Sequence, residues 1–384
     1  MSGAAHVSAR FRALDGWRGV CAMLVALHHL ELHCWLFRQP VLREAWLFVD
    51  FFFVLSGFVL AHTYAGRLKD GAAIRIFVIR RFGRLWPLHI AVLLALVGLE
   101  VLRLVTAHGI DARPAFTYPN SPFTLLTNVF LVQAMGLHPT LTWNNPSWSI
   151  STEFYTYLVF AVICFLAPSR TMRTIIAALT AIAGAVVLAR FSPLGMQETV
   201  AWGEWRCLYG FFTGVLTYEI WRSRRLAPLK GTSAEIAAVA LVLILLTWFG
   251  RSRPIAFLAP PLFALAVLVF AAEAGGLSRL LTTRAGAALG RWSYGIYMIH
   301  TLVLAVLFSV LGTWARSALM TLPGGGLVIN AGSEIGNDLA MLGYLAVVVG
   351  AAAAAWRLVE LPGQALFSRL AVAEKNLEIS RQSV

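Results

Sequence analysis

The chain has 384 residues, 59% of them hydrophobic and only 13% charged, with a mean hydropathy of +0.74. Soluble domains carry about twice that charged fraction, so a water-solvated globule is excluded and a bilayer is indicated as the solvent. The net charge of +13 does not mark a nucleic-acid surface, because Lys and Arg fall in short clusters between apolar runs, as topology signals do.

Residues 1–14 lack the layout of a cleavable signal and read as a cytoplasmic N-terminal segment. A helix needs about 20 mostly apolar residues to cross the hydrocarbon core. Runs of that kind fall at roughly 15–36, 46–65, 85–106, 147–167, 172–190, 203–221, 234–250, 254–273, 292–314 and 335–358. They predict an all-α polytopic membrane protein, a single bundle of about ten transmembrane helices within residues 15–362. Residues 363–384 read as a cytoplasmic tail. Between the third and fourth runs, the segment 107–146 is rich in Pro, Asn and Thr. Its apolar patch from Leu125 to Met135 is too short to span and is expected to be re-entrant or interfacial. The cysteines Cys21, Cys34, Cys164 and Cys207 show no CxxC pattern and read as small buried hydrophobes, without bridge or metal.

Charge asymmetry orients the bundle. With the N-terminus in the cytoplasm, the inner side collects 22 of the 31 basic residues. The other nine, Arg38, Arg43, Arg103, Arg113, Arg190, Arg206, Arg251, Arg253 and Arg316, fall on or near the outer side. The positive-inside rule therefore predicts that both termini are cytoplasmic. The 250–254 turn, which puts Arg251 and Arg253 outside, runs against it.

Ionisable side chains inside a span cost several kcal/mol and mark functional positions by default. In the first run, Arg18 and His29 are eleven residues apart, which on a continuous helix puts them on one face about 16 Å apart along the axis. His28 points elsewhere and reads as structural. His29 and His33 sit at i,i+4, but the run is His-Leu-Glu-Leu-His, not His-Glu-x-x-His. No third ligand is identifiable, so no metal site is assigned. Asp50, flanked by aromatics at outer-leaflet depth, needs a partner, and His29 is the expected one. Arg81 and Arg84 share a helix face beside Trp86-Pro87, while Arg80 reads as an anchor. Ser149 and Glu153 face the same way near the start of the fourth run, next to Trp148. Ser56-Gly57 fits close helix packing as well as chemistry. Ser293, Tyr297 and His300 form one stripe of the ninth run.

The blocks DGWRG…HH, VDFFFVLSGF, RRFGRLWP, PSWSISTEFY, RWSYGIYMIH and WRLVELP, in that order, resemble the acyltransferase-3 family from Leu14 to Pro362. Its bacterial members O-acylate exported glycans such as lipopolysaccharide, capsule and exopolysaccharide, which implies a multi-pass protein of the bacterial inner membrane. Arg18 and His29 fall on the family's Arg/Lys-x10-His motif, and Arg81 and Arg84 on its Arg-x-x-Arg motif. Only one Glu follows Ser151-Thr152, where many relatives have two, and no hydrolase-type domain is appended.

The resemblance and the residues together set the expectations. Arg18, Arg81 and Arg84 bind acyl-CoA, which serves as co-substrate with no permanently bound cofactor. His29, oriented by Asp50, is the general base, with Glu153 as a further catalytic carboxylate. Trp148, Ser149, Tyr297 and His300 line the acceptor path. The acyl group, acetyl in the commonest case, passes to a hydroxyl of a glycan or polysaccharide, directly or through an acyl-enzyme. The rival reading is a proton-coupled transporter or glycan flippase using the same buried groups as a relay.

Overall fold

A computed structural model describes residues 11–30, 32, 34–106, 114–223, 229–249, 253–321 and 327–382. Arg10, His33, Arg113, Arg224, Arg225 and Arg251, which enter the sequence reading, lie outside the described residues, as do the side chains of Arg253, Lys375 and Arg381.

The first half of the chain forms α1 (Arg12–His28), the short helices α2 (Trp35–Arg38) and α3 (Pro40–Arg43), α4 (Phe48–Tyr64), α5 (Gly71–Thr106), α6 (Pro122–Val129), α7 (Trp148–Leu166) and α8 (Arg170–Phe191). The second half forms α9 (Gly203–Arg222), α10 (Thr232–Ile244), α11 (Arg253–Ala256), α12 (Ala259–Phe270), α13 (Gly276–Leu281), α14 (Arg284–Trp314), α15 (Glu334–Ala355) and α16 (Leu361–Gln382). A small antiparallel hairpin, β1 (Leu319–Thr321) with β2 (Leu327–Ile329), follows α14. Side-chain hydroxyls start several helices by accepting an otherwise unpaired backbone N–H: Ser121 for α6, Ser169 for α8, Thr283 for α14 and Ser333 for α15.

Six helical stretches are long and apolar enough to cross a bilayer: Ala45–Tyr64, Gly71–Thr106, Asn145–Leu166, Arg170–Phe191, Arg284–Trp314 and Glu334–Glu374. The protein is therefore an all-α, multi-pass membrane protein. Helix α8 shows the inside-out logic of such a bundle. Its Ala177, Ala181, Gly184 and Leu188 are buried, with Gly184 against the backbone of Trp205 and Tyr209, while Leu179, Ile182 and Val186 stay exposed for lipid. Helices α4 and α9 pack more closely still. A Cβ at Gly57 would overlap the Phe211 carbonyl, and one at Gly214 the Val54 carbonyl. Gly57 is thus a packing residue.

The first predicted span is corrected. It runs to 36 on the sequence, but α1 stops at His28, and His29 is its C-cap. The reason is local. Leu30 and Leu32 are both buried, a period of two that suits extended chain, and Leu32 bridges to Ile329 of β2. The chain then docks on α15: Arg38 makes a two-pronged ion pair with Glu334, both bonds 2.8 Å, and the Leu36 N–H donates to Asp338. The Glu334 carboxylate lifts the Arg38 guanidinium above its usual range.

The third span starts at Gly71 rather than 85, and its 36 residues make α5 about 54 Å long. The segment read as a tail is helix α16, which packs along α5, with Gly83 against Phe367 and Gly363 against Pro87. A five-residue π-helix, Trp356–Glu360, joins α15 to α16. In the stretch before α7, the eight-residue α6 sits in a polar network: Asn128 donates to Thr142 (2.8 Å), and Asn144 is tied to α14 through the Met298 carbonyl and Thr301.

Candidate active site

A cavity of about 540 Å³ runs between α1, α4, α5, α7 and α14. Its wall on α4 extends from Val49 to Thr63, a rise of about 21 Å along the helix, against a hydrocarbon core of about 30 Å. One end of the cavity is cationic. Arg18 from α1 and Arg81 and Arg84 from α5 all line it, which places the predicted anion-binding residues together. Arg81 and Arg84 reach it because i and i+3 share a helix face; Arg80 is exposed.

Each guanidinium is held loosely. Arg18 lies 3.6 Å from Asp15. Arg81 donates to the Tyr64 hydroxyl at 3.4 Å and lies over its ring. Arg84 donates to Glu360 at 3.3 Å and lies over Tyr294. Glu360 is 2% exposed, and its second oxygen has no partner among the described residues. Three cations facing Asp15 and Glu153 in one cavity favour an anionic ligand, and guanidinium groups match phosphate in a planar, two-pronged way.

Ser149 and Tyr297 lie away from the arginines, Tyr297 against Phe52 where Arg81 meets Tyr64, and Glu153 stands between, facing Arg18. Glu153 accepts from Tyr157 at 2.5 Å, and Tyr157 in turn meets Ser56 at 3.1 Å, so a hydroxyl–carboxylate chain links α4 to α7. Tyr297 donates to the Pro146 carbonyl at 3.2 Å, as does Ser149 at 3.1 Å. Trp148 does not line the cavity. One residue earlier on the helix, it points about 100° away and covers a different site.

That site corrects the expected His29–Asp50 pair. Asp50 is fully buried and binds Arg206 of α9, with Nη2 donating at 2.7 Å and Nε at 3.0 Å. Arg206, 1% exposed, also donates to the carbonyls of Glu198 and Trp46, and its guanidinium lies 5.2 Å from both the Trp46 and Trp148 rings. A carboxylate enclosed at this depth takes the partner that neutralises it most fully, and an arginine fork does so where an imidazole would not.

His29 lies beyond the Tyr297 end. Its side chain is exposed, and Nδ1 lies 2.8 Å from the Val25 carbonyl. Its ring centroid is 4.7 Å from that of His300, which is fully buried and does not line the cavity. His300 in turn is one helical turn from Tyr297, so His29, His300 and Tyr297 form a line leading to the cavity. Arg18 lines the cavity, whereas His29, the C-cap of α1, does not. His28 is tied to the Leu42 carbonyl at 2.9 Å.

Three residues of this site were missed in the sequence. Arg206 was counted as a topology charge although it sits within the run 203–221, where an arginine is as anomalous as Asp50. Glu360 sits inside the last apolar run's WRLVELP block. Tyr157 follows Glu153 by one turn.

Fold and cavity together define an integral membrane enzyme. The chain belongs to the acyltransferase-3 family: residues 11–358 match the family described as "Acyltransferase domain". It is 35% identical to "Protein 2 in picA locus" of Rhizobium radiobacter over 40% of this chain and 81% of that protein. It is 27% identical to "Acyltransferase MdmB" of Streptomyces mycarofaciens over 67% of each. It is 24% identical to "Peptidoglycan O-acetyltransferase OatA" of Listeria monocytogenes over 78% of this chain, spanning half of that protein's length. No solved structure matches. The protein is an O-acyltransferase.

Proposed function

We propose that the protein moves an acyl group, acetyl in the simplest case, from cytoplasmic acyl-CoA to a hydroxyl of an extracytoplasmic glycan. The setting is the bacterial inner membrane, crossed ten times with both termini inside. The observation that carries this reading is the cavity of about 540 Å³, which brings Arg18, Arg81 and Arg84 into one space with Glu153, Ser149 and Tyr297. Coenzyme A brings several phosphates and is made in the cytoplasm, the side to which the positive-inside rule assigns the three arginines. Its thioester arm extends from them past Glu153 to the Tyr297 end, on the side where His29 stands. A sugar hydroxyl arrives from the opposite face, in keeping with the peptidoglycan named for the Listeria relative.

His29 is the general base of this reading. Its contact with the Val25 carbonyl assigns the proton to Nδ1 and leaves Nε2 to take the hydroxyl proton, so a backbone carbonyl does the orienting expected of Asp50. A neutral imidazole is the side-chain base that can take and return a proton at ambient pH. The hydroxyl oxygen bonds to the acyl carbon, the C–S bond breaks, and the proton ends on the departing sulfur; an acyl-enzyme route reaches the same products. Glu153, held by Tyr157, binds the acceptor or shares in the proton transfer.

The test uses purified protein in lipid nanodiscs with radiolabelled acetyl-CoA and a glycan acceptor. Label is expected on the glycan with stoichiometric release of free coenzyme A. Absence of acetyl-CoA consumption under conditions where the protein remains folded would overturn the donor assignment.

A further inference from the structure

The cavity does not stop at the arginines. Past Ser56 it continues to the last turn of α4, where Phe11 and Leu14 of α1 face Val59, His62 and Thr63. This end is mostly apolar, and His62 is its anomaly. Both ring nitrogens of His62 are buried, and neither has a hydrogen-bond partner among the described residues, a costly state for polar atoms away from water. Around the imidazole stand the rings of Phe11, Tyr218 and Trp221, with centroids 5.2, 5.5 and 5.8 Å away. A phenylalanine would fill that space without leaving two nitrogens unsatisfied. Phe11 and His62 close the α1 side of this end, and Arg81, lying over the Tyr64 ring, closes the α5 side.

We propose that this end of the cavity is a nucleobase subsite, in which the adenine of the donor packs on Phe11 and His62 hydrogen-bonds its rim. The proposal rests on acyl-CoA as the donor and assigns the part of that molecule beyond the phosphates. Adenine is apolar on its faces, and its rim sets an amino donor beside a ring-nitrogen acceptor. A neutral imidazole offers one N–H and one lone pair, so His62 can meet either group. Aromatic side chains hold bases by stacking, and the Phe11 and His62 rings stand 67° apart. A base lying flat on Phe11 therefore turns its rim toward His62. Phosphate-binding arginines on one side of a slot and an apolar wall with one polar ring on the other fit a nucleotide. An acyl tail would have no use for the imidazole nitrogens, and a phosphopantetheine without its nucleotide would leave the slot empty. The α4 wall orders the parts: His62 and Thr63 for the base, then Ser56, then Phe52 beside Tyr297 for the thioester.

The test compares three probes by calorimetry in nanodiscs: coenzyme A, adenosine 3′,5′-bisphosphate and 4′-phosphopantetheine. The variants are His62→Phe, which keeps the ring and removes both nitrogens, and His62→Gln, whose amide again offers a donor and an acceptor. Phe11→Leu removes the stacking ring and probes the same slot independently. His62→Phe is expected to weaken coenzyme A and the bisphosphate by roughly three- to tenfold, the factor for one neutral hydrogen bond, with 4′-phosphopantetheine unchanged. His62→Gln is expected to recover most of that loss, and Phe11→Leu to show the same selectivity as His62→Phe. In turnover, His62→Phe is expected to raise the KM for acetyl-CoA by the same factor and to leave kcat unchanged. A general disturbance of the bundle would weaken all three probes alike, and that result would overturn the proposal. Wild-type affinity for the bisphosphate in both His62→Phe and Phe11→Leu would overturn it too, as an apolar tail in the slot predicts. The bisphosphate carries no acyl group, so its binding is read without turnover. Wild-type protein that binds it through His62 but leaves acetyl-CoA unconsumed supports the subsite and counts against the donor reading alone.

Discussion

Removing one member of the Asp50–Arg206 pair is expected to destabilise the protein far more than removing both. Asp50 is 0% and Arg206 1% exposed, so neither charge can be rescued by solvent in place. In Arg206→Met, the carboxylate loses both donors, at 2.7 and 3.0 Å, and stays buried in the bundle. Breaking a buried pair in this way costs about 3–5 kcal/mol, roughly two to three and a half powers of ten in the folded-to-unfolded ratio. Asp50→Asn is milder, because the guanidinium keeps the Glu198 and Trp46 carbonyls and both rings. The double variant Asp50→Asn/Arg206→Met leaves neither charge of the pair and is expected to recover most of the loss. Unfolding of purified protein by SDS in mixed micelles gives all four corners of the cycle and hence the coupling. Wild-type stability in Arg206→Met, or a double variant no better than the worse single one, would refute the reasoning. The same cycle separates Asp50 from catalysis: in folded Asp50→Asn, the kcat–pH profile is expected to keep its wild-type shape.

Arg81→Ala and Arg84→Ala should each weaken acyl-CoA binding by about 1.5–3 kcal/mol while the protein still inserts, measured by calorimetry in nanodiscs. Wild-type affinity in both would reduce them to membrane anchors. His29→Ala should abolish glycan acylation, scored by mass spectrometry of cells at matched expression, whereas His28→Ala should keep most of it. Near-normal acylation in His29→Ala would remove the proposed base. Single cysteines at positions 5 and 378 should resist impermeant thiol reagents in intact cells, and labelling of either from outside would overturn the ten-crossing topology.

What the sequence made legible was local. A bilayer forces long apolar runs, so the helices of the bundle could be read by length and hydropathy. Shared faces were readable too, because i,i+3 and i,i+4 spacings place Arg81 with Arg84 and Ser149 with Glu153 on one wall of the cavity. Partner choice across helices was not. Asp50 was matched to His29 by depth, yet depth is shared by every helix in the bundle, and Arg206 reaches it across α9 instead. The Arg18-to-His29 spacing assumed a helix running on to 36, whereas α1 ends at His28, with His29 as its C-cap outside the cavity that Arg18 lines. Glu360 was obscured because its block was read as a terminal signature rather than as an intramembrane carboxylate.

Two backbone irregularities lie side by side at the level of the arginines. Pro87 deprives α5 of one rung of its hydrogen-bond ladder, and the π-helix Trp356–Glu360 interrupts the run from α15 into α16, against which Pro87 packs at Gly363. Bending compliance in a long helix concentrates where the ladder is broken. The lower part of α5 and α16 as far as Glu374 are bound to each other, through Gly83 on Phe367 and the Arg75–Glu374 ion pair, so they form a single lever on a shared joint. A small tilt of that lever would shift Arg84 and Glu360 against the cavity, while the close-packed α4–α9 seam, with its glycines in backbone contact, stays fixed.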